Sequence, residues 1–214
     1  MTAQYSESVT RQERKQRTRQ ALLDSALELL ADRSFSRLSL REVTKRAGIV
    51  PTAFYRHFSS MDELGRALVD ESMRTLRTMM RNARRNPDTY HDVIRSSIHT
   101  LYEHVRGHES HFRFLTRERY GGAGPVQTAI GTELRLFASE LAIDLGRMPQ
   151  LRDWGAEDLY TMADLLVMTS LATVVELLAV PRPDPEADAE ILRIARKRLR
   201  LIVLGVAGWR SDLS

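Results

Sequence analysis

The side chains in this chain best equipped for catalysis or metal binding are its histidines. Five of the six fall between positions 91 and 111, as His91, His99, His104, His108 and His111. His104 and His108 are four apart, which sets two imidazoles on one helical face and resembles half of a zinc site, with Glu103 and Glu109 nearby. Gly107 interrupts the helix between them, and no third ligand stands at a matching interval. A solvent-facing or capping role is expected, and no metal. The chain has no cysteine, so disulfides, thiolate metal sites and a cysteine nucleophile are excluded. A Gly-x-Ser-x-Gly elbow, a phosphate loop and a dinucleotide fingerprint are also missing from the sequence. The reading is therefore of a protein that is not an enzyme and uses no cofactor.

A different chemistry, recognition, is suggested by Gly48-Ile-Val-Pro-Thr-Ala-Phe-Tyr-Arg-His-Phe58. It places three aromatic rings, an arginine and a histidine on one short segment. The surrounding charge agrees with a polyanionic partner. Residues 1–60 carry 11 Lys/Arg against 6 Asp/Glu, whereas the rest of the chain carries 21 against 22. The positive excess thus sits in the first quarter, around this segment.

The elements that must hold these residues all read as helices. Thr10 with Glu13 suggests a capping box opening a helix to about Asp32, with Leu23, Ala26, Leu27 and Leu30 on one face. Ser39 with Glu42 opens a second, short helix that stops at Gly48, and Pro51 suits the first position of a third. Ser60 with Glu63 begins a longer helix to about Arg84, broken at Asn86-Pro87. Helices of roughly 88–106, 108–118, 124–146, 156–180 and 185–209 follow, separated by glycines and prolines. An all-α fold of about nine helices is expected, divided into residues 1–60 and 61–214. The apolar run Leu165–Val180 contains Glu176 and is shorter than the ~20 residues a bilayer needs, so it reads as a buried helix and not a membrane span. The N-terminus is polar and then basic, without a signal-like apolar stretch, and the expected location is the cytoplasm.

Two short helices at about 39–46 and 51–58, joined through Gly48, describe a helix-turn-helix. Phe54 and Phe58 share the face that must pack inward, while Thr52 and Arg56 lie opposite, flanked by Tyr55 and His57. That layout suits a helix laid in the major groove of duplex DNA, with central residues at base edges and flanking ones at phosphates.

The segments Ala21–Leu30, Leu40–Ile49, Phe54–Phe58 and Met61–Leu64 resemble the N-terminal domain of the TetR family of transcriptional regulators. The resemblance implies a three-helix DNA-binding domain followed by a helical ligand-binding and dimerisation domain. It places Arg41, Pro51, Thr52, Ala53, Tyr55 and His57 at the DNA, with Tyr55 and His57 gripping the backbone, and the face shared with Thr52 adds Arg56. Val50 stands where a polar helix cap is usual, and Met61 where a lysine is common. Within the family, Arg33–Val43, Pro51–Phe58, Met61–Gly65, Val69–Ser72 and His111–Arg119 are similar to the FabR and DesT regulators of unsaturated fatty-acid synthesis. That likeness implies a long-chain acyl-CoA as effector. A sensor of an unrelated hydrophobic drug or metabolite is the alternative.

For the effector, Met162 and Met168 offer adaptable apolar surface, the other reading of such methionines being plain core. Arg113 and Arg117, with Arg119, offer charge for the phosphates of a CoA moiety or else form a solvated or salt-bridged cluster with Glu109 and Glu118. One recognition helix reads too few base pairs for specificity, so a two-fold homodimer on an inverted-repeat operator is expected. Ile191, Leu192, Ala195, Leu199, Ile202, Val203 and Val206 recur at helical spacing. A helix this apolar could cap the core, but its length favours pairing across subunits, and these residues are the expected dimer surface.

Overall fold

The computed structural model describes residues 2–83, 90–180 and 184–209, and every regular element among them is helical. In chain order these are α1 (Thr2–Leu29), a 3-10 turn at Phe35–Arg37, α2 (Leu40–Arg46), α3 (Pro51–Phe54) and α4 (Met61–Ala83). Then come α5 (Tyr90–Gly107), α6 (Glu109–Gly121), α7 (Pro125–Gly146), α8 (Ala156–Ala179), α9 (Pro185–Gly205) and a closing 3-10 turn at Val206–Gly208. The expected break at Asn86-Pro87 lies outside the described residues, as does the side chain of His91.

Two compact units emerge: Met1–Ser72 with Arg113–Ile130, and Met73–Phe112 with Gly131–Ser214. The chain crosses from one to the other within α4, α6 and α7.

In the first unit, Leu22, Leu23, Ala26, Leu27 and Leu30 of α1 are buried, together with Val43, Phe54, Phe58, Leu64 and Leu68. α1 does not open at Thr10. It begins at Thr2, because residues 2–9 contain no glycine or proline to stop the helix propagating upstream. Close approach is written into α4 at Gly65, where a Cβ would lie 2.5 Å from Val126 and 2.7 Å from the Phe35 ring.

α6 contributes two consecutive polar side chains to this unit. Arg117 donates to the carbonyls of Leu30, Ala31 and Arg33 at 2.7–3.0 Å, satisfying acceptors that α1 leaves open where it ends. Glu118, only 2% exposed, accepts the Phe35 N–H.

In the second unit α8 packs on α5 and α9. Leu101, Val105 and Phe112 meet Val174, Leu177 and Leu178 in one apolar cluster, and Ile98 meets Ala195 and Leu199 in another. The buried Asp188 of α9 accepts from Tyr102 and forms an ion pair with Arg106, both on α5. α8 has the bounds expected, 24 residues that extend the apolar run toward the N-terminus, and is long and apolar enough by composition to cross a membrane. Its Glu176 pairs with Arg198 of α9 at 2.8 Å, and its inner face is consumed by the core.

The stripe expected to form the dimer surface is taken up in part by packing within the unit, five of its seven residues remaining half-buried. Ala195 and Leu199 are buried, and Ile191, Leu192, Ile202, Val203 and Val206 pack against the unit's own clusters. Apolar spacing specifies a face but not what covers it.

Candidate DNA-binding surface

The geometry of the helix-turn-helix begins with the cap of α2. Ser39 Oγ accepts the Glu42 N–H at 3.3 Å, and the Glu42 carboxylate accepts the Ser39 N–H at 3.0 Å, a complete capping box. The Ser39 hydroxyl and then the Arg33 guanidinium, 2.6 Å away, hold the Glu42 carboxyl down at about 2. That fixes the start of α2, where Arg41 stands exposed.

α2 ends in a Schellman turn. The Gly48 N–H donates to Lys45 O at 3.3 Å and the Ile49 N–H to Thr44 O at 3.0 Å, with Gly48 at φ +70°. No atom lies within 4 Å of where a Cβ would sit, so backbone handedness rather than space requires glycine here.

α3 follows with Val50 as its cap residue, lacking any side-chain cap bond, and Pro51 in its first turn. The regular helix stops at Phe54. A turn then carries the chain through His57, with the Phe58 N–H still reaching Phe54 O at 3.1 Å. Phe54 and Phe58 are fully buried, their ring centroids 5.6 Å apart. Pro51, Thr52, Tyr55 and Arg56 are exposed, and Ala53 and His57 are half-buried. The seven sequence-selected residues thus lie on α2, α3 and the turn that follows, with the exposed ones presenting a hydroxyl, a phenol and two guanidiniums.

One organiser of this surface carried no motif. Arg19 of α1 donates from Nη1 to the His57 carbonyl at 3.0 Å, and its guanidinium lies 4.2 Å from the Phe58 ring centroid. It therefore ties down the C-terminal end of the recognition segment. His57 keeps its Nδ1 buried without a hydrogen-bond partner. Burial, then the positive charges of Lys15, Arg19 and Arg56, push its imidazole below the usual range, so it is neutral near pH 7.

The segment beyond is capped in a staggered way. Ser60 Oγ accepts the Glu63 N–H at 3.2 Å, but the Glu63 carboxylate reaches back to Ser59, accepting both its N–H and its hydroxyl at 2.6 Å.

The residues selected for an effector are dispersed. Arg113 and Arg117 belong to the first unit, Met162 and Met168 to the second, so neither unit holds all four. Arg117 is engaged with three carbonyls and is not available to a ligand phosphate in this arrangement. Met162 is a core residue among Ala142, Leu145 and Leu151, whereas Met168 is exposed. The His104 and His108 rings are 4.3 Å apart across the α5–α6 junction, but no group of three potential metal ligands occurs among the described residues.

The second unit exposes an apolar row on α8: Leu165, Met168, Ala172 and Val175, spaced by three and four residues. Leu201 and Leu204 of α9 are exposed as well, at 69% and 60%. The sequence showed the α8 helix as apolar; only burial separates its two faces.

Comparison with known proteins adds to this geometry. A model described as bacterial regulatory proteins of the tetR family matches residues 22–68, and one described as a tetracyclin repressor-like C-terminal domain matches residues 90–196. The chain is 48% identical over 129 residues to an uncharacterised HTH-type transcriptional regulator from Haemophilus influenzae, a match spanning 60% of this chain and 63% of that protein. Among solved structures, the fatty acid degradation regulator FadR from Bacillus halodurans superposes with TM-score 0.68 at 11% identity, covering 91% of this chain and 97% of that one. AibR in complex with isovaleryl coenzyme A and operator DNA superposes with TM-score 0.64 at 16% identity, covering 85% and 97%. At such identities these two likenesses concern the fold.

Proposed function

Since the chain belongs to the TetR family of bacterial regulatory proteins, we propose that it is a DNA-binding transcription regulator. It acts as a repressor: a homodimer on an inverted-repeat operator, working in the cytoplasm. The observation that carries this reading is the recognition segment itself. Thr52 on α3 and Tyr55 and Arg56 on the turn after it are exposed, while Phe54 and Phe58 are wholly buried; the segment follows a glycine turn and its end is anchored by Arg19. Base contact falls to Thr52 and Arg56 on the outward face of the recognition segment and to Arg41 at the start of α2, supported by Pro51 and Ala53, and phosphate contact to Tyr55 and His57.

The dimer face is the exposed row of α8 with Leu201 and Leu204 of α9. Solvent-facing apolar residues at this spacing are what a four-helix intersubunit bundle buries.

The effector is a long-chain acyl-CoA, and the regulated genes belong to fatty-acid metabolism, in the manner of the FabR and DesT regulators. Supporting this are the similarity of residues 111–119 to those regulators and the fold shared with a fatty acid degradation regulator and an acyl-CoA complex. α4 leaves the helix-turn-helix and continues over 23 residues, which makes it the lever by which ligand alters DNA affinity.

Selection from a random duplex pool, followed by anisotropy titration with palmitoyl-CoA, oleoyl-CoA and free CoA, tests both halves. An enriched inverted repeat whose affinity shifts with the long-chain thioesters supports the reading. Enrichment with identical curves for all three would assign the protein a different effector. Tyr55→Phe with His57→Ala should weaken operator and non-operator duplex alike, whereas changing Arg41 or Thr52 should cost about 1–3 kcal/mol on operator.

A further inference from the structure

α1 is longer than its packing requires. It spans 28 residues, yet its described buried side chains begin at Leu22, and every residue from 10 to 17 is exposed. Between positions 10 and 20 this outer stretch holds Arg11, Arg14, Lys15, Arg17 and Arg19 against a single acid, Glu13. A helix segment that is polar all round gains nothing from a core, so its sequence answers to something outside the fold.

The orientation of the charges is set by Arg19. Arg11, Lys15 and Arg19 follow one another at intervals of four, on one face of the helix. Arg19 bonds the His57 carbonyl at 3.0 Å and covers the Phe58 ring. The face carrying Arg11 and Lys15 is therefore continuous with the end of the recognition segment. Lys15 is also near enough to His57 to help depress its imidazole, after burial. From Arg19 to Arg11 the helix advances about 12 Å, the rise of three to four base pairs at about 3.4 Å each.

We infer that the outer half of α1 is a basic arm that grips the phosphates of the DNA flanking the operator, through Arg11 and Lys15, extending the footprint beyond the recognition helix. This rests on the DNA-binding reading above and adds to it a second contact surface. The arm reads no bases. Its contribution is sequence-independent affinity and a steeper dependence on salt.

The salt slope of binding tests it, using the full chain and a random-sequence duplex of about 30 base pairs, long enough for the footprint plus flanks. Each neutralised phosphate contributes about 0.9 to the slope of log K against log salt. Arg11→Gln/Lys15→Gln should therefore flatten the slope by about 2. Arg11→Lys/Lys15→Arg should leave it unchanged, and so should Arg152→Gln/Arg196→Gln, which removes the same charge from the second unit. The exposed positions predict an unaltered thermal midpoint for every variant. Equal slopes for the wild type and Arg11→Gln/Lys15→Gln would overturn the arm while leaving the recognition helix intact. A wild type that binds no duplex at all would overturn both.

Discussion

The backbone N–H of Phe35 donates to the carboxylate of Glu118 at 2.8 Å, across 83 residues of sequence. Glu118 is 2% exposed, and a Cβ on Gly122 would fall 2.4 Å from its carbonyl oxygen. With Arg117 holding the carbonyls that end α1, α6 serves the backbone on both sides of the α1-to-turn connection.

Removing that acceptor strands a buried donor. Glu118→Ala should lower stability by about 2–3 kcal/mol, and Glu118→Gln, which keeps an acceptor oxygen, by about 1. Urea denaturation followed by circular dichroism checks this. Equal midpoints for both variants and wild type would mean that the carboxylate is not holding Phe35.

The turn between α2 and α3 depends on handedness alone. Gly48→Ala meets no neighbour but must adopt φ near +70°, which should cost about 1–2 kcal/mol. Gly48→Asn should cost less, because asparagine tolerates this region better. Thermal melts of the three proteins give the order, and duplex affinity should fall in the same order.

His104 sets a limit on acid stability. It is 4% exposed, its ring 4.3 Å from His108 and edge-on to Phe112 at 5.6 Å. Burial first, then the charges of His108 and His111, lower its pKa to about 4. The folded state thus binds its proton less readily than the unfolded chain. The contribution is complete above pH 6.5 and is lost as pH falls toward about 4, an effect of roughly 3 kcal/mol at full extent. His104→Gln should flatten the decline in denaturation midpoint between pH 7 and pH 4.5. A parallel decline in both proteins would refute it.

Assembly should follow exposure rather than apolar periodicity. Leu165→Arg/Met168→Arg, on the outer row of α8, should yield a folded monomer of 24.5 kDa in sedimentation. Leu199→Ala, in the core, should instead cost about 2–5 kcal/mol of stability. A dimeric Leu165→Arg/Met168→Arg variant would place the interface elsewhere.

Much of this protein was legible residue by residue. Helices follow from local rules, so the Ser39–Glu42 box, the left-handed Gly48 and the proline opening α3 stood in the sequence as they stand in the fold. The pairing of Phe54 with Phe58 followed from their spacing of four, and the family from motifs confined to short windows. What could not be read locally depends on partners distant in the chain. Arg117 looks like a free cation until Leu30, Ala31 and Arg33 are brought to it, and Arg19 until the end of the recognition segment arrives. The α9 stripe from Ile191 to Val206 and the α8 row from Leu165 to Val175 have the same helical spacing, yet the first is buried or half-buried and the second exposed. Periodicity records that a face is apolar because burial anywhere rewards it equally. Which surface meets it is decided only when the helices pack.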